Sequence, residues 1–571
     1  MSAPPVALAA KTRLRSDFLA LGLLVLVWAV MAAVIDPLGN FPLNDDWVYG
    51  LAVRSILETG RFALPSPSSA NLFVQAYWGA LFCLPFGFSF TALRISTLVL
   101  GGVGPIAQYL LLRDLGARRP AALVGGLTLA ANPLYLGLSA SFMTDVPFTA
   151  LATVALWLYV RGVQRGQAAA IGGALALAFV AISIRQFGLV LPLAFGVTHL
   201  VRKGVNRRTL AVAVLPFLLA VALQLTYDRW LIATGRTPLV PVPLEHLLPA
   251  SMLTFAARSA LAILVALPYV GFCVAPFFAY RALAGSTHAD PVRPRSSWQI
   301  QALMLVLLLV GLGASGAMLP ALGDVLIPSG LGPLTLRDTW VLEVHKPAIP
   351  AIVSIGWILV TAISLWAAIA TVLTIANMMA GAFGNLRLSE WRKTAWPQVL
   401  MLTVTGAYAG GLILIGGTSS LFDRYFLPLV PSVLAILVIG SEPTRSLREL
   451  PWRGVRCFAL LGFYAMFAVL ATHDYLAWNR ARWRATDSLL QSGVTPHQID
   501  GGYEFDGWYL YRPGYQVTEG KSYWWVDDDQ YIIASAPLGG YQEIRQFRVN
   551  RWLGLTGSRV LILRRIAAGR A

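Results

Sequence analysis

The chain has 571 residues, of which 57% are hydrophobic and 12% are charged, and its formal net charge is +17. The charged fraction is roughly half that of an ordinary soluble protein, so the composition excludes a soluble chain and predicts a polytopic membrane protein. A strong positive charge is also typical of nucleic-acid-binding proteins. Here, however, Lys and Arg lie in short loops between apolar segments, and we expect no nucleic-acid partner.

Apolar segments long enough to cross a bilayer recur along the chain, and the basic loops between them mark the cytoplasmic side. We predict an all-α polytopic fold of about 13 transmembrane helices in the cytoplasmic (inner) membrane, with a cytoplasmic N-terminus. The predicted spans lie near residues 17–35, 91–112, 120–137, 146–161, 168–184, 187–201, 209–227, 251–280, 298–319, 349–379, 397–415, 426–440 and 457–472.

Three further regions complete the predicted organisation. The first external loop, 36–71, contains an amphipathic segment at 47–58 that suits an interfacial helix. Residues 72–87 are apolar, but a full span there would invert everything that follows, so we predict a partly inserted or re-entrant helix. Residues 1–472 thus form the multispan domain, and 473–571 a small extracytoplasmic α+β domain. We expect a helix in that domain at 478–491 and strands near 503–511, 530–535, 543–550 and 559–565.

The predicted topology brings charged residues from distant parts of the chain to the external face. Asp45 and Asp46 follow the first span, and Asp145 opens a later one. Basic and aromatic residues reach the same side at Arg185, Arg424, Tyr425, His345 and Lys346. Ionisable groups beside hydrocarbon are costly, so a cluster of them at one membrane face indicates a functional site.

These residues resemble a pattern in the C-type glycosyltransferase superfamily, especially the lipid A aminoarabinose transferases and the protein O-mannosyltransferases. Like those families, the chain places an acidic pair after the first span, followed at set intervals by an aromatic, an arginine and a glycine. A later aspartate opens a span, and an arginine-tyrosine-proline signature comes near the end of the multispan domain. The matching residues are Asp45, Asp46, Tyr49, Arg54, Gly60, Asp145, Arg424, Tyr425 and Pro428.

The resemblance implies an integral membrane enzyme that moves a sugar from a polyprenyl-phosphate-linked donor to a lipid, glycan or protein acceptor outside the membrane. A carboxylate supplies the base for the acceptor hydroxyl, and arginines match the oxygens of the leaving phosphate. The expected catalytic residues are Asp45, Asp46 and Asp145. The expected donor-phosphate ligands are Arg424, Arg185, Tyr425, Arg54, Lys346 and His345. We expect single displacement with inversion.

Other interpretations stay open for the chain and for its residues. A transporter or flippase of lipid-linked saccharides is the alternative function, although such proteins usually place ionisable groups near the bilayer midplane. The Asp45–Asp46 pair also suits a solvated turn, and Asp145 suits a helix cap before Pro147. No metal-ligand motif is present and no cofactor is expected, but a divalent cation at Asp45 and Asp145 is left open.

Overall fold

The computed structural model describes residues 5–236, 251–284, 296–345, 349–384, 394–440, 451–554 and 559–566. The first half of the chain contributes α1 to α10, at Pro5–Val34, Asp46–Thr59, Phe73–Cys83, Phe90–Asp114, Arg119–Ala130, Pro133–Ser139, Asp145–Arg165, Ala168–Ile184, Val190–Lys203 and Arg207–Ala233. The second half contributes α11 to α17, at Met252–Ala284, Ser296–Ser315, Ala351–Gly384, Trp396–Thr418, Val430–Ile439, Pro451–Gln491 and Tyr503–Leu510.

Every predicted span coincides with helical structure, but the helices differ in length. Within the described ranges, 8 helices are long and apolar enough to cross a membrane, or up to 9 if the bent pair α5 and α6 is one span. The helix α8 and the apolar part of α12 are shorter than this criterion. The structure therefore supports a multispan helical protein, and the count of 13 stays a prediction.

The helix α7 shows how the two ends of the helical domain differ. It begins at Asp145 and ends at Arg165, and its 21 residues span about 30 Å, the thickness of a bilayer core. At the end opposite Asp145, Arg161 and Arg165 both pair with Asp114. Nearby, Asp17 accepts hydrogen bonds from Tyr109, Arg113 and Arg119. Basic residues thus gather at one end, as the sequence predicts.

The first external loop and the segment after it form two short helices. The predicted interfacial segment is α2, whose buried residues lie mainly in its first half, and it ends at Gly60 with a left-handed backbone. The predicted re-entrant segment is α3, whose 11 residues extend only about 16 Å and are too short to span. Gln75 of α3 donates to the carbonyl of Phe142, which fixes this helix beside the start of α7.

The C-terminal region grows directly out of the last long helix. α16 runs without a break from Pro451 to Gln491, so the predicted boundary at 472 lies within it. Beyond it, β3 (Ile499–Asp500), β4 (Tyr531–Ala534), β5 (Tyr541–Arg548) and β6 (Arg559–Arg565) form one sheet in the order β3-β4-β6-β5. β3 and β4 are parallel, and the other pairs are antiparallel. A second, two-stranded sheet joins β1 (Leu326–Ile327) to β2 (Gly330–Leu331) between α12 and α13.

Three of the four predicted C-terminal strands are present as β4, β5 and β6. The prediction of a strand near 503–511 is wrong, because this segment is the helix α17. The aromatic residues of this segment are typical of a strand, but the backbone at Gly507 lies directly against the ring of Trp47 in α2. That tertiary contact and the buried carboxylates of Glu504 and Asp506 favour the helix.

Candidate active site

Four separate segments meet at the end of the helical domain where α7 begins. Asp45 precedes α2, Asp145 is the first residue of α7, and Arg185 ends α8 with an extended backbone. A 3-10 turn at Asp423–Leu429 supplies Arg424 and Tyr425. Each functional side chain thus lies where a helix begins or ends, because only there can a polar side chain leave the apolar helix packing.

Arg424 is the centre of the cluster. Its Nη1 lies 2.5 Å from Asp324 Oδ2, its Nη2 lies 3.3 Å from Asp45 Oδ2, and its Nε lies 4.0 Å from Asp145 Oδ2. The guanidinium also lies 4.7 Å from the centre of the Phe422 ring. One arginine therefore bridges three carboxylates that are far apart in sequence.

Arg185 forms the second cationic position. Its Nη1 lies 2.8 Å from Asp145 Oδ1, and its Nε donates to Thr144 Oγ1 over 2.7 Å. The Tyr425 ring lies between the two arginines, with its centre 5.4 Å from the Arg185 guanidinium and 5.6 Å from that of Arg424. Asp145 is fully buried, and its negative charge balances the positive charges of both arginines.

Asp45 is the most accessible carboxylate of the cluster. Its side chain is 25% exposed, compared with 6% for Asp324 and 0% for Asp145. Its Oδ1 accepts a hydrogen bond from the Tyr503 hydroxyl over 2.9 Å. Burial, and next the charge of Asp45, raise the pKa of Tyr503 well above its ordinary value, so this phenol remains a donor. An incoming group can reach Asp45 but not its two partners.

Asp46 points away from the cluster. It is 2% exposed, and its two oxygens accept from the backbone N–H groups of Phe142 (2.7 Å) and Leu43 (3.1 Å). Burial raises the pKa of Asp46 to about 7, although Arg94 and these two hydrogen bonds oppose the shift. The structure therefore gives Asp46 a part in joining the segment after α1 to the start of α7.

Two of the other predicted phosphate ligands, Arg54 and His345, are not brought to the cluster. Arg54 lies on an exposed face of α2, 2.7 Å from Glu58, and its guanidinium faces the Trp508 ring. His345 lies between α12 and α13, 3.7 Å from Asp338. Lys346 lies outside the described residues. The geometry thus supports five of the nine predicted site residues as one group: Asp45, Asp145, Arg185, Arg424 and Tyr425.

Sequence reasoning missed two residues of the cluster. Asp324 comes from the loop before β1, which Asp423 holds in place by accepting from the N–H groups of Val325 and Leu326. Tyr503 comes from α17, 458 residues after Asp45. A carboxylate between apolar segments, as in LGDVL, was the one available signal for Asp324. Aromatic richness alone did not distinguish Tyr503 from its neighbours.

The residues present do not form an evident metal site. Within the described part of the chain, no three His, Cys, Asp or Glu side chains are grouped to hold a metal ion. The Arg424 guanidinium lies between Asp45 and Asp145, where the sequence left a divalent cation open. A guanidinium and a divalent cation repel each other, so the arrangement favours arginine as the counterion of these carboxylates.

Comparison with known proteins gives one family match and several structural likenesses. Residues 71–230 match the family model described as dolichyl-phosphate-mannose-protein mannosyltransferase. No curated protein matches the chain.

Among solved structures, the chain is similar to ArnT from Cupriavidus metallidurans bound to undecaprenyl phosphate, at 15% identity and a TM-score of 0.37 over 96% of this chain and 98% of that one. It is also similar to the Archaeoglobus fulgidus oligosaccharyltransferase, at 13% identity and a TM-score of 0.37 over 83% of this chain and 59% of that one. A third likeness is to the arabinosyltransferase EmbB from Mycobacterium smegmatis, at 14% identity and a TM-score of 0.30 over 78% of this chain and 43% of that one.

The matched segment 71–230 runs from α3 to α10 and contains Asp145 and Arg185 of the cluster. This match confirms the expected resemblance to the protein O-mannosyltransferases over residues 71–230.

Proposed function

We propose that this chain is an integral membrane glycosyltransferase that moves a sugar from a polyprenyl-phosphate-linked donor to a lipid, glycan or protein acceptor. The observation that supports this proposal most directly is a partly exposed carboxylate, Asp45, that lies 3.3 Å from a buried arginine, Arg424. A base and an anion-binding cation side by side are what transfer from a sugar phosphate to a hydroxyl requires.

The proposed reaction assigns a role to each charged member of the cluster. Asp45 accepts the proton of the acceptor hydroxyl while the acceptor oxygen attacks the anomeric carbon. The bond between that carbon and the phosphate oxygen breaks on the opposite face, so the product has inverted configuration. Arg424 and Arg185 receive the charge of the departing polyprenyl phosphate, for which the planar guanidinium is suited. Asp145 and Asp324 hold the two arginines in place.

The location of the cluster supports a lipid-linked donor. A polyprenyl phosphate keeps its chain in hydrocarbon and its phosphate at the bilayer surface. The cluster lies at helix ends, on the side opposite the basic residues around Asp17 and Asp114. By the positive-inside rule this is the external face, with the N-terminus cytoplasmic and residues 473–571 extracytoplasmic. The proposed topology has 13 spans: the 8 long helices, the shorter helices α8, α9, α12 and α15, and the bent pair α5 and α6.

The test is transfer of radiolabelled sugar from a polyprenyl-linked donor by membranes holding matched amounts of protein. Asp45→Asn keeps the size of the side chain but removes the proton acceptor, so we expect the rate to fall by a factor of about 10²–10⁴. Arg54→Gln, an exposed position outside the cluster, is the matched control and should transfer at the wild-type rate. If Asp45→Asn keeps more than about a tenth of the wild-type rate, the base assignment is wrong.

Three further measurements test the finer parts of the proposal and its alternative. Nuclear magnetic resonance of the product gives its anomeric configuration, and retention would exclude single displacement. Addition of EDTA tests the divalent cation at Asp45 and Asp145. Loss of transfer that magnesium or manganese restores would support the cation, and unchanged transfer would exclude it. Movement of a labelled lipid-linked sugar across a vesicle bilayer without any transfer would support the flippase alternative.

A further inference from the structure

The C-terminal domain contacts Asp45 directly. The Tyr503 hydroxyl donates to Asp45 Oδ1 over 2.9 Å, while Arg424 Nη2 lies 3.3 Å from Oδ2. Each carboxylate oxygen is thus bonded to a different part of the chain, one to the helical domain and one to α17. Two donors on opposite oxygens fix the plane of a carboxylate, and with it the direction of the remaining lone pairs.

The residue beside Tyr503 holds the backbone beside Asp45. Glu504 Oε1 accepts from the Asn44 N–H over 2.9 Å. Its other oxygen accepts from Thr335 Oγ1 over 2.6 Å and lies 2.6 Å from Arg482 Nη1. Glu504 and Arg482 are both fully buried, so this anchor is shielded from water. The same two residues of α17 therefore bind both the side chain of Asp45 and the backbone N–H of the residue before it, Asn44.

Aromatic packing makes the connection rigid. Trp47, two residues after Asp45, is fully buried. Its ring meets those of Tyr503, Tyr511 and Trp525 with centres 5.8, 5.4 and 5.2 Å away. Gly507 lies so close to the Trp47 ring that a Cβ there would overlap it. Packing on this scale defines one orientation of the turn that carries Asp45.

We propose that Tyr503 is a positioning residue for sugar transfer, and that the C-terminal domain completes the active site by orienting the Asp45 carboxylate through the Tyr503 hydroxyl. This inference rests on the proposed function. Tyr503 acts through Asp45 and contacts neither Arg424 nor Arg185 in the hydrogen bonds and ion pairs of the described residues. Its effect is therefore expected on the transfer step and not on donor binding.

The first experiment compares Tyr503→Phe with the wild-type protein. Phenylalanine keeps the ring and its packing on Trp47 and removes only the hydroxyl. We expect kcat to fall about tenfold to a hundredfold, as for loss of a charge-assisted hydrogen bond, with KM for the polyprenyl-linked donor within about twofold. Tyr509→Phe, on the same helix with an exposed ring, is the control and should leave both constants unchanged. An unchanged kcat in Tyr503→Phe overturns the proposal, whatever happens to the melting temperature.

The second experiment asks whether Tyr503 acts through Asp45. In the Asp45→Asn background, Tyr503→Phe should cause little further loss, because the oriented carboxylate is already absent. A full additional loss would show that the hydroxyl acts elsewhere and would overturn the proposal.

A spectroscopic measurement separates this inference from the proposed function. The infrared carboxylate band of Asp45 is identified as the band missing from Asp45→Asn. It should shift in Tyr503→Phe and stay in place in Tyr509→Phe. If the wild-type protein transfers no sugar from any polyprenyl-linked donor, the proposed function fails, while a shifted band still shows the contact. An unshifted band overturns the orienting role, even in an active enzyme.

Discussion

Arg424 and Asp45 are 379 residues apart in sequence, yet Arg424 Nη2 lies 3.3 Å from Asp45 Oδ2. The same guanidinium contacts Asp324 and approaches Asp145, so one cation is shared among three carboxylates. A donor phosphate that binds Arg424 competes with Asp45 for Nη2. Donor binding would then free the Asp45 oxygen that the acceptor hydroxyl needs.

The arginines are tested with lysine, because alanine would leave Asp145 and Asp324 buried without a counterion. Arg424→Lys and Arg185→Lys keep the charge but lose the guanidinium fork, so each should weaken binding of polyprenyl phosphate by about 1.5–3 kcal/mol. Binding is measured by calorimetry in detergent. Arg54→Lys is the control, since Arg54 pairs with Glu58 on an exposed helix face and should bind normally. Equal binding by all three variants would remove the arginines from the donor site.

Asp324 provides a prediction that the sequence alone did not suggest. Asp324→Asn keeps the side-chain volume but loses the charged contact to Arg424 Nη1. Arg424 should then lose its orientation, and the transfer rate should fall by about tenfold to a hundredfold. Asp527→Asn is the control, because its pair with Arg512 is more than 40% exposed and contributes at most about 1 kcal/mol. A normal transfer rate for Asp324→Asn would show that Asp45 and Asp145 suffice to hold Arg424.

Asp46 should matter for stability and not directly for transfer. In Asp46→Asn one amide NH₂ group faces a backbone N–H of Leu43 or Phe142, and the unpaired donors should cost about 1–3 kcal/mol of unfolding free energy. Thermal unfolding in detergent measures this loss, with Asp228→Asn on an exposed part of α10 as the control. Equal melting temperatures for Asp46→Asn and the wild-type protein would contradict the structural role.

The loss of unfolding free energy caused by Asp46→Asn should also depend on pH. The pKa of Asp46 rises from 3.8 to about 7 on folding, so the folded state binds the proton more tightly and its contribution is greatest below pH 3.8. That contribution is lost as pH rises through about 7. Asparagine does not titrate, so the destabilisation caused by Asp46→Asn should shrink between pH 4 and pH 7. A destabilisation that grows over this range would contradict the raised pKa.

The sidedness of the membrane is tested with single cysteines at exposed positions, in a background without the native cysteines. Ser419 and Thr518 lie at the end of the cluster and in the C-terminal domain, and Gln167 and Val205 lie in loops at the opposite end. An impermeant thiol reagent added outside intact cells should label the first two and not the others. The reverse pattern would place the active site in the cytoplasm.

Composition and local pattern were sufficient to predict the long apolar helices. A helix that crosses a bilayer requires a long apolar segment, and basic residues collect in the loops on one side of the membrane. Both the apolar segments and the basic loops can be recognised directly in the sequence. For the same reason the sequence predicts that Asp45, Asp145, Arg185 and Arg424 lie at one end of the helical domain, because each follows or precedes an apolar segment. The strand expected at 503–511 failed since its aromatics pack on α2, and no local pattern records that contact.

The tertiary structure decided which contacts neighbouring and distant side chains make. Asp45 and Asp46 are adjacent, but residues at the start of a helix point in directions about 100° apart, so one faces Arg424 and the other faces backbone N–H groups. Asp324 joins the cluster from a loop and Tyr503 from the start of α17, through contacts between segments 100 and 458 residues apart. By itself the sequence determined which residues lie at the ends of apolar segments, because insertion into a bilayer is a local property of each segment. Only the tertiary structure decided which of them touch Asp45, because such contacts depend on how the segments pack together.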